Sequence, residues 1–546
     1  MSSPHVAMPC SFRSVGAVLT RRALPTLAVT GTAAAVVLGA ATPTLAAPST
    51  AGAPGRAQQT QRTMSGAGTP TPVDTGSMDA VTTIVGANAS WKAGYTGQGI
   101  DVALIDTGVT PVPGLSSGNV VNGPDLSFDS QSTSLTRLDG FGHGTHLAGI
   151  IAGHDAPNTT STGSTSFTGV APGSRVISLK VGAYDGSADV SQVIAALDWV
   201  TQHAHDPGLN IRVINLSFGT DSTQAYNYDP LAYAVENAWH KGIVVVVAAG
   251  NDGTTRATLN DPAIDPYVLA VGADDPGGTL SPNNDTVPPF ASRGTSARHA
   301  DLVAPGMHIA SLRDPGSVVD TEYPDARLGD RLFRGSGTSQ SAAVVSGCAA
   351  LLLSKYPRLT PDQVKKQLMR TARPLADSPL HRGSGLIDVA RAEQLPPVAA
   401  KQAASRATGT GLLEAARGSS HVVDGTTALT GEQDIFGSAW NGTTWAAADS
   451  RGLAWTGGNW NGDTWTGTTW VLTQLLGVLR LVPSWIGVTW KAPTWAGSDW
   501  LGHTWTSMRW DGHSWTGGTW AGHSWTDHNW SGHSWTGSNW SYAGWN

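Results

Sequence analysis

The amino-acid sequence predicts an α/β protein with a doubly wound, mostly parallel sheet and helices on both faces, between residues 79 and 395. Short apolar runs, such as residues 100–105 and 243–248, alternate with segments in which apolar residues recur at helical spacing. That alternation is typical of a parallel sheet covered by helices on both faces. In such sheets the site lies beyond the carboxyl ends of the strands, so polar residues there are the first candidates for chemistry.

Each further element has its own local signal. Residues 176–181 and 213–217 supply two more apolar strands. Helices follow them, because apolar residues recur at helical spacing over residues 190–197 and again over residues 231–238. Thr360 begins a capping box that predicts the start of another helix.

The composition excludes two broad classes of protein. The chain has 546 residues, of which 13% are charged and 22 are Trp, with a formal net charge of −7. These values argue against a highly charged disordered chain and against a basic nucleic-acid binder. Once a leader containing Cys10 is removed, Cys348 is the one thiol left, which excludes an intramolecular disulfide and a Cys-based zinc site. Cys348 stands in an apolar run, where a buried and inert residue is expected.

The N-terminus is interpreted as a secretion signal. Residues 1–46 contain arginines, then an uncharged stretch and small residues suited to cleavage, in the order of a signal peptide. A membrane anchor is a weaker interpretation, because the stretch is rich in Ala, Gly and Thr and contains Pro25. Both the general and the twin-arginine export routes fit. Residues 47–78 then form a disordered leader or short pro-segment, and the mature protein is expected to be secreted, without a transmembrane span and with cell-wall association as an option.

Four residues near the predicted strand ends and glycine turns carry reactive side chains. Asp106 ends the first strand and is placed to orient another side chain. His143 lies between glycines, and its unperturbed pKa of about 6.5 suits a general base. Asn251 follows an apolar strand and offers an amide donor. Ser339 stands at the start of a helix, where backbone N–H groups favour negative charge.

A metal site is the competing interpretation of His143 and His146. Their spacing lacks the Glu and the i, i+4 geometry of the helical zinc motif, so His146 is expected to make structural hydrogen bonds and no metal is assigned.

The four reactive residues stand in the order acid, histidine, amide and serine along one sheet. With the glycine-rich turns around them, they resemble the subtilisin-like serine proteases over residues 97–392. The resemblance implies a triad in which Ser339 is the nucleophile, His143 the general base and Asp106 the residue that holds the imidazole. It implies that Asn251 and the Ser339 backbone N–H form the oxyanion hole.

The resemblance also implies a strand that pairs with substrate backbone and small residues that wall the main specificity pocket. These are Ser217, Phe218, Gly219, Ala249 and Gly250. No acidic residue is evident on these segments, so cleavage after large apolar or aromatic residues is expected. The partners are therefore protein or peptide substrates, and no nucleic acid is expected.

The sequence departs from the family pattern in three ways. Gln340, Ser341 and Ala343 stand where the family usually has Met, Ala and Pro after its nucleophile. The segment before the core is too short and too polar for the usual inhibitory chaperone domain. No cofactor is needed for the chemistry, and the structural calcium that the family allows has no recognisable ligand pattern here.

The C-terminal region is a tryptophan repeat. Residues 396–435 are predicted to be a linker, and residues 436–546 carry Trp at almost every fifth position, with His in a ten-residue rhythm. A period of five fits neither a helix nor one face of a strand, so the region is expected to be a β-rich or solenoid-like module. Its indoles either stack as a core or form platforms for glycan or cell-wall polymer; metal binding by the His is the weakest interpretation.

These observations predict a secreted serine endopeptidase that forms an acyl-enzyme on Ser339. The alternative is a catalytically weak or inactive scaffold that binds cell surfaces or glycans through its Trp repeats, but such a scaffold would need none of the four reactive residues. An esterase of the α/β-hydrolase type is disfavoured by the order of the motifs.

Overall fold

The computed structural model describes residues 74–131, 135–155, 166–254, 256, 258–424, 427–434, 439–454, 458–460, 463–465 and 505–507. The predicted signal peptide, nearly all of the leader and most of the Trp repeat lie outside these residues. Those parts of the domain division therefore stay predictions.

The described residues form helices α1–α12 and strands β1–β15. The helices are α1 Met78–Ile84, α2 Ala87–Lys92, α3 His143–Ala152, α4 Val190–His203, α5 Pro230–His240, α6 Val318–Glu322, α7 Thr338–Lys355, α8 Pro361–Thr371, α9 Pro379–Arg382, α10 Val389–Gln394, α11 Leu413–Arg417 and α12 Gly442–Asp449. The strands are β1 Asp101–Asp106, β2 Val120–Asp125, β3 Arg175–Lys180, β4 Ile211–Leu216, β5 Val244–Ala248, β6 Leu269–Asp274, β7 Leu302–Pro305, β8 Ile309–Leu312, β9 Arg327–Leu328, β10 Leu332–Gly335, β11 Val422–Asp424, β12 Thr427–Ala428, β13 Gly458–Trp460, β14 Asp463–Trp465 and β15 Trp505–Ser507.

Seven strands form one parallel sheet in the order β2-β3-β1-β4-β5-β6-β7. Parallel neighbours need crossover connections, and α4 and α5 supply two of them. The predicted α/β class with a mostly parallel sheet is therefore confirmed. Because β1 lies between β3 and β4, the loops that leave these two strands flank the carboxyl end of β1. Short antiparallel pairings join β8-β10-β9, β12-β11-β15 and β13-β14.

The core is built around α7, which packs against α3 and against β4, β5, β6 and β7. The small residues of this helix, including Gly347 and Cys348, allow close approach to its neighbours. A Cβ at Gly347 would lie 2.6 Å from Val170 Cβ. Cys348 is fully buried, and burial raises the pKa of its thiol well above the usual value. These two findings fit the expected inert role.

The segment predicted as a linker, residues 396–435, and the first residues of the predicted repeat module pack against the sheet domain. Helix α11 contacts α4 and α5, and α12 contacts α5. We call residues 396–434 together with residues 439–454 the C-terminal strap. Its few large apolar side chains are widely spaced in a Gly-, Ala- and Ser-rich stretch, so no periodicity in the sequence indicated the packing.

The first two tryptophans of the predicted repeat belong to this strap. Trp440 and Trp445 are both 8% exposed, with ring centroids 4.9 Å apart. Trp445 also meets Tyr233 of α5 edge to face at 5.4 Å. These two indoles are therefore packing residues. None of the helices in the described ranges is long and apolar enough to cross a membrane.

Candidate active site

The parallel sheet brings Asp106 and His143 into contact. Asp106 is the last residue of β1, and its Oδ1 lies 2.8 Å from Nδ1 of His143. The same oxygen accepts a hydrogen bond from the backbone N–H of Thr107 at 2.8 Å. Asp106 and His143 are each 1% exposed. A buried carboxylate at Nδ1 fixes the orientation of the imidazole, so that Nε2 faces away from the carboxylate.

The glycines beside His143 are required by close packing. Gly142 precedes α3 with a φ of 104°, a left-handed conformation that other residues rarely adopt. A Cβ at Gly144 would lie 2.1 Å from the backbone oxygen of Gly108, in the turn that follows β1. The Gly-His-Gly sequence therefore lets the first turn of α3 approach the end of the Asp106 strand.

Ser339 and Asn251 meet at the start of α7. The Asn251 Oδ1 accepts hydrogen bonds from the backbone N–H and the hydroxyl of Thr338, at 2.9 and 3.0 Å. This arrangement leaves the Asn251 Nδ2, which is buried, without an acceptor among the described residues. Ser339 is buried as well, and its Oγ has no hydrogen-bond partner in the described part of the chain. Catalytic hydrogen bonds in ligand-free enzymes are often long and tighten only in the complex with substrate.

The sequence-predicted substrate-binding segments lie next to this turn. Ser217 directly follows β4, and its hydroxyl donates to the backbone oxygen of Ser339 at 3.4 Å. The Gly250 backbone N–H donates to the Thr338 hydroxyl at 3.2 Å. The two segments therefore reach the turn of Ser339 from neighbouring strands, β4 and β5.

Comparison with known proteins agrees with this geometry. The model of the subtilase family matches residues 97–411. Serine protease AprX of Bacillus subtilis is 39% identical over 280 residues, which cover 50% of this chain and 61% of AprX. Subtilisin DY of Bacillus licheniformis is 36% identical over 313 residues, covering 57% of this chain and 97% of that protein. Subtilisin Savinase of Lederbergia lenta is 33% identical over 304 residues, covering 56% of this chain and 94% of that protein.

The chain belongs to the subtilase family. The matched residues are therefore those of a serine endopeptidase, a hydrolase that acts on peptide bonds. Protein or peptide substrates follow from that membership.

Asp139 is a residue of this subtilase that the sequence reasoning missed. It is 3% exposed, and its carboxylate accepts hydrogen bonds from the N–H groups of Gly142 and Thr145, at 2.6 and 2.7 Å. The Thr107 hydroxyl donates to the same carboxylate at 2.8 Å and accepts from the Gly144 N–H at 2.9 Å. Asp139 thus ties the start of α3 to the residue after Asp106. An Asp a few residues before a glycine-led helix was the available signal.

Asn260 is a second residue that the sequence reasoning missed. Its side chain lies between the predicted pocket residues, because a Cβ at Gly219 would be 3.0 Å from Asn260 Cβ. A Cβ at Gly250 would be 2.8 Å from Asn260 Cγ. An amide from a loop therefore lies between two of the predicted pocket residues, and no periodic pattern could have indicated it.

The departure at Gln340 places a polar side chain beside Ser339. Gln340 is fully buried, and neither of its side-chain polar atoms has a hydrogen-bond partner among the described residues. A Cβ at Gly335 would lie 2.8 Å from Gln340 Nε2, and a Cβ at Gly337 would lie 2.9 Å from its Oε1. The amide therefore packs against Gly335 and Gly337, in the turn that leads to Ser339.

His146 has the structural role expected of it. Its Nε2 lies 3.2 Å from the backbone oxygen of Ile309 and 3.1 Å from that of Phe333. Burial, and then the neighbouring His143, lower the pKa of His146 to about 4. Within the described ranges, no three His, Cys, Asp or Glu side chains are grouped so that they could hold a metal ion.

A buried cation supports the strands beside Asp106. The Lys180 Nζ, at the end of β3, donates to the backbone oxygen of Thr107 at 2.9 Å and lies 2.9 Å from Asp129 Oδ2. Burial alone would lower the pKa of Lys180, but the charges of Asp129 and Asp125 outweigh burial and raise the pKa. The cation therefore stays charged and joins β3 to the turn after Asp106.

Proposed function

We propose that this chain hydrolyses peptide bonds through an acyl-enzyme on Ser339. The Ser339 Oγ attacks the scissile carbonyl carbon while His143 Nε2 takes its proton, and Asp106 stabilises the imidazolium that forms. Asn251 Nδ2 and the Ser339 backbone N–H donate to the oxyanion. The imidazolium then gives its proton to the leaving amine, and water hydrolyses the acyl-enzyme by the reverse route.

The contact between His143 Nδ1 and Asp106 Oδ1 carries this proposal. A binding scaffold gains nothing from a buried carboxylate aimed at one ring nitrogen. The Asn251 Nδ2 adds support, since a buried donor without an acceptor destabilises the free enzyme and can be satisfied by a transition-state oxygen. The mechanism uses only groups of this chain, so we propose that the chemistry needs no cofactor.

The deciding experiment is labelling of the purified mature protein with a fluorophosphonate, followed by peptide mapping. We expect modification of Ser339, because a serine activated by a histidine is nucleophilic where ordinary serines are not. Ser339→Ala should abolish labelling and peptide hydrolysis together. Labelling at another residue, or labelling that survives Ser339→Ala, would refute the triad. Absence of labelling in the intact chain would favour the inactive scaffold.

We further propose that the enzyme is exported, through the predicted signal peptide of residues 1–46, and that the Trp repeat binds cell-wall or glycan polymer. The support is the order of charged, apolar and small residues in the first case and the periodic indoles in the second. The division into a peptidase domain and a repeat module of residues 436–546 is part of the same proposal.

A shortened chain tests the role of the repeat. Deleting residues 508–546 removes eight Trp and keeps every described helix and strand. We expect unchanged hydrolysis of a small peptide substrate and weaker retention on insoluble cell-wall polymer, because each stacked indole contributes on the order of 1 kcal/mol. Equal retention of the full and shortened chains would reject polymer binding by these residues.

A further inference from the structure

Two loops leave the reactive centre side by side. The first, residues 181–189, follows β3, and the N–H groups of Val181 and Gly182 donate to the Asp106 backbone oxygen at 2.8 and 3.1 Å. The second, residues 217–220, follows β4 and begins where Ser217 meets the Ser339 backbone. Because β1 lies between β3 and β4, these two loops flank the carboxyl end of β1, where Asp106 stands.

The C-terminal strap joins the two loops again at their far ends. We call residues 413–420 the clamp. Arg417 Nε lies 2.6 Å from Asp189 Oδ2, at the end of the first loop. The Thr220 hydroxyl, at the end of the second loop, donates to the Ala416 backbone oxygen at 2.6 Å. Next to it, Asp221 accepts hydrogen bonds from the N–H and the hydroxyl of Ser419, at 2.6 and 2.8 Å.

The clamp is a built part of the molecule. The side chains of Arg417 and Asp189 are both 0% exposed. The guanidinium of Arg417 also donates to the backbone oxygens of Gly431 and Gln433, at 2.7 and 2.5 Å. A buried guanidinium with this many acceptors is fixed in position, and removing its partner would leave an uncompensated buried charge. The clamp therefore holds a defined distance between the ends of the two loops.

We propose that the clamp is the end wall of the acyl side of the substrate groove, and that Arg417 and Thr220 are positioning residues for extended substrates. This inference rests on the proposed pairing of substrate with residues 217–219. A strand advances about 3.3 Å per residue, so the path from Ser217 to Thr220 is about 10 Å long. A substrate that pairs with this segment meets the clamp after three to four residues.

A series of peptidyl p-nitroanilides with one to six residues on the acyl side, which we call the ladder, tests the proposal. In the intact enzyme, kcat/KM should rise with each residue up to about the fourth and then stay level. In the double variant Thr220→Val, Asp221→Ala, the ratio of kcat/KM for the four-residue substrate to kcat/KM for the one-residue substrate should fall about tenfold. The fall should come mainly from a higher KM for the four-residue substrate. Hydrolysis of the single-residue substrate should be unchanged, because that substrate does not reach the clamp.

Tyr233→Phe is the matched control. Its hydroxyl donates to a strap carbonyl, that of Ala446 in α12, at 3.2 Å, and Ala446 lies outside the clamp. This variant should keep the ladder of the intact enzyme. Arg417→Lys keeps the positive charge and loses the forked hydrogen bonds of the guanidinium. It should lower the same ratio of kcat/KM as the double variant does. Because it changes a different residue, it tests the clamp even if the double variant misfolds.

Three results would overturn the clamp: a gain that continues through the sixth residue in the intact enzyme, an unchanged ladder in both clamp variants, or the same change in Tyr233→Phe. Labelling of Ser339 and hydrolysis of the single-residue substrate report on the proposed triad separately. If the triad is wrong, the enzyme should hydrolyse none of these substrates by way of Ser339. If the clamp is wrong, the clamp variants should hydrolyse all of them with the same ratios of kcat/KM as the intact enzyme.

Discussion

Replacing Asp139 with Asn tests whether this carboxylate positions His143. The carboxylate accepts hydrogen bonds from Gly142 N–H, Thr145 N–H and the Thr107 hydroxyl. An amide has one oxygen, so one of its sides must place an NH₂ against a donor. A hydrogen bond to a charged acceptor contributes about 1.5–3 kcal/mol, and an orphaned N–H adds its own penalty. We therefore expect the free energy of unfolding to fall by roughly 2–4 kcal/mol.

Asp139→Asn should also lower kcat. The Thr107 hydroxyl links Asp139 to the Gly144 N–H, so a shift of the carboxylate moves the residue next to His143. A displacement of about 1 Å can reduce the rate about 100-fold. We expect kcat to fall about 10- to 100-fold on a small amide substrate, with KM within about twofold of the intact enzyme. Urea unfolding and steady-state kinetics on the same preparation measure both effects.

Asp229→Asn is the control for this experiment. Asp229 caps α5 in a similar way, through the N–H groups of Leu231 and Ala232 at 2.7 and 3.3 Å, and that helix carries no reactive residue. The control should lose stability and keep kcat. If Asp139→Asn loses stability and likewise keeps its kcat, the carboxylate is only a helix cap and the argument fails.

Three further substitutions probe other groups. Asn251→Ala should lower kcat about 10²- to 10³-fold with little change in KM, and a loss confined to KM would contradict an oxyanion donor. Burial and then the charge of Asp139 raise the pKa of Asp314 to about 8. The stability that protonated Asp314 contributes is therefore complete below about pH 4 and is lost as pH rises from 4 through 8. The melting temperature of Asp314→Asn relative to that of the intact enzyme should rise over the same pH range, and a difference that does not change with pH would argue against that pKa. Asn260→Gly should raise the ratio of kcat/KM for aromatic substrates to kcat/KM for alanine substrates about tenfold, because it opens space beside Gly219 and Gly250. An unchanged ratio would place Asn260 outside the pocket.

The fold could be predicted because its signals are local and repeated. The apolar run at residues 100–105 became β1, one residue further along the chain, and the capping box at Thr360 begins α8 as expected. Those two inferences need only the period of apolar residues and the end of an element. The strand-end rule marks Asp106 as a candidate, whereas its meeting with His143 was implied by the resemblance to the subtilisin-like serine proteases.

The remaining features depend on contacts that no local pattern encodes. Asp189 and Arg417 are 228 positions apart, and neither stands in a motif that points to the other. The period of five groups the tryptophans as a series in the sequence. It cannot tell that Trp440 and Trp445 are buried against α5.

The position of the clamp changes where the catalytic unit of this subtilase ends. The family match stops at residue 411, two residues before α11 begins. Arg417 and Ala416 lie beyond that point, yet they contact Asp189 and Thr220, at the ends of the two loops that follow β3 and β4. A chain cut at the end of the family match would keep all four reactive residues and lose the tie between the two sides of the groove. Such a chain would be expected to hydrolyse short substrates and to discriminate poorly among long ones, so the strap is better grouped with the peptidase than with the repeat.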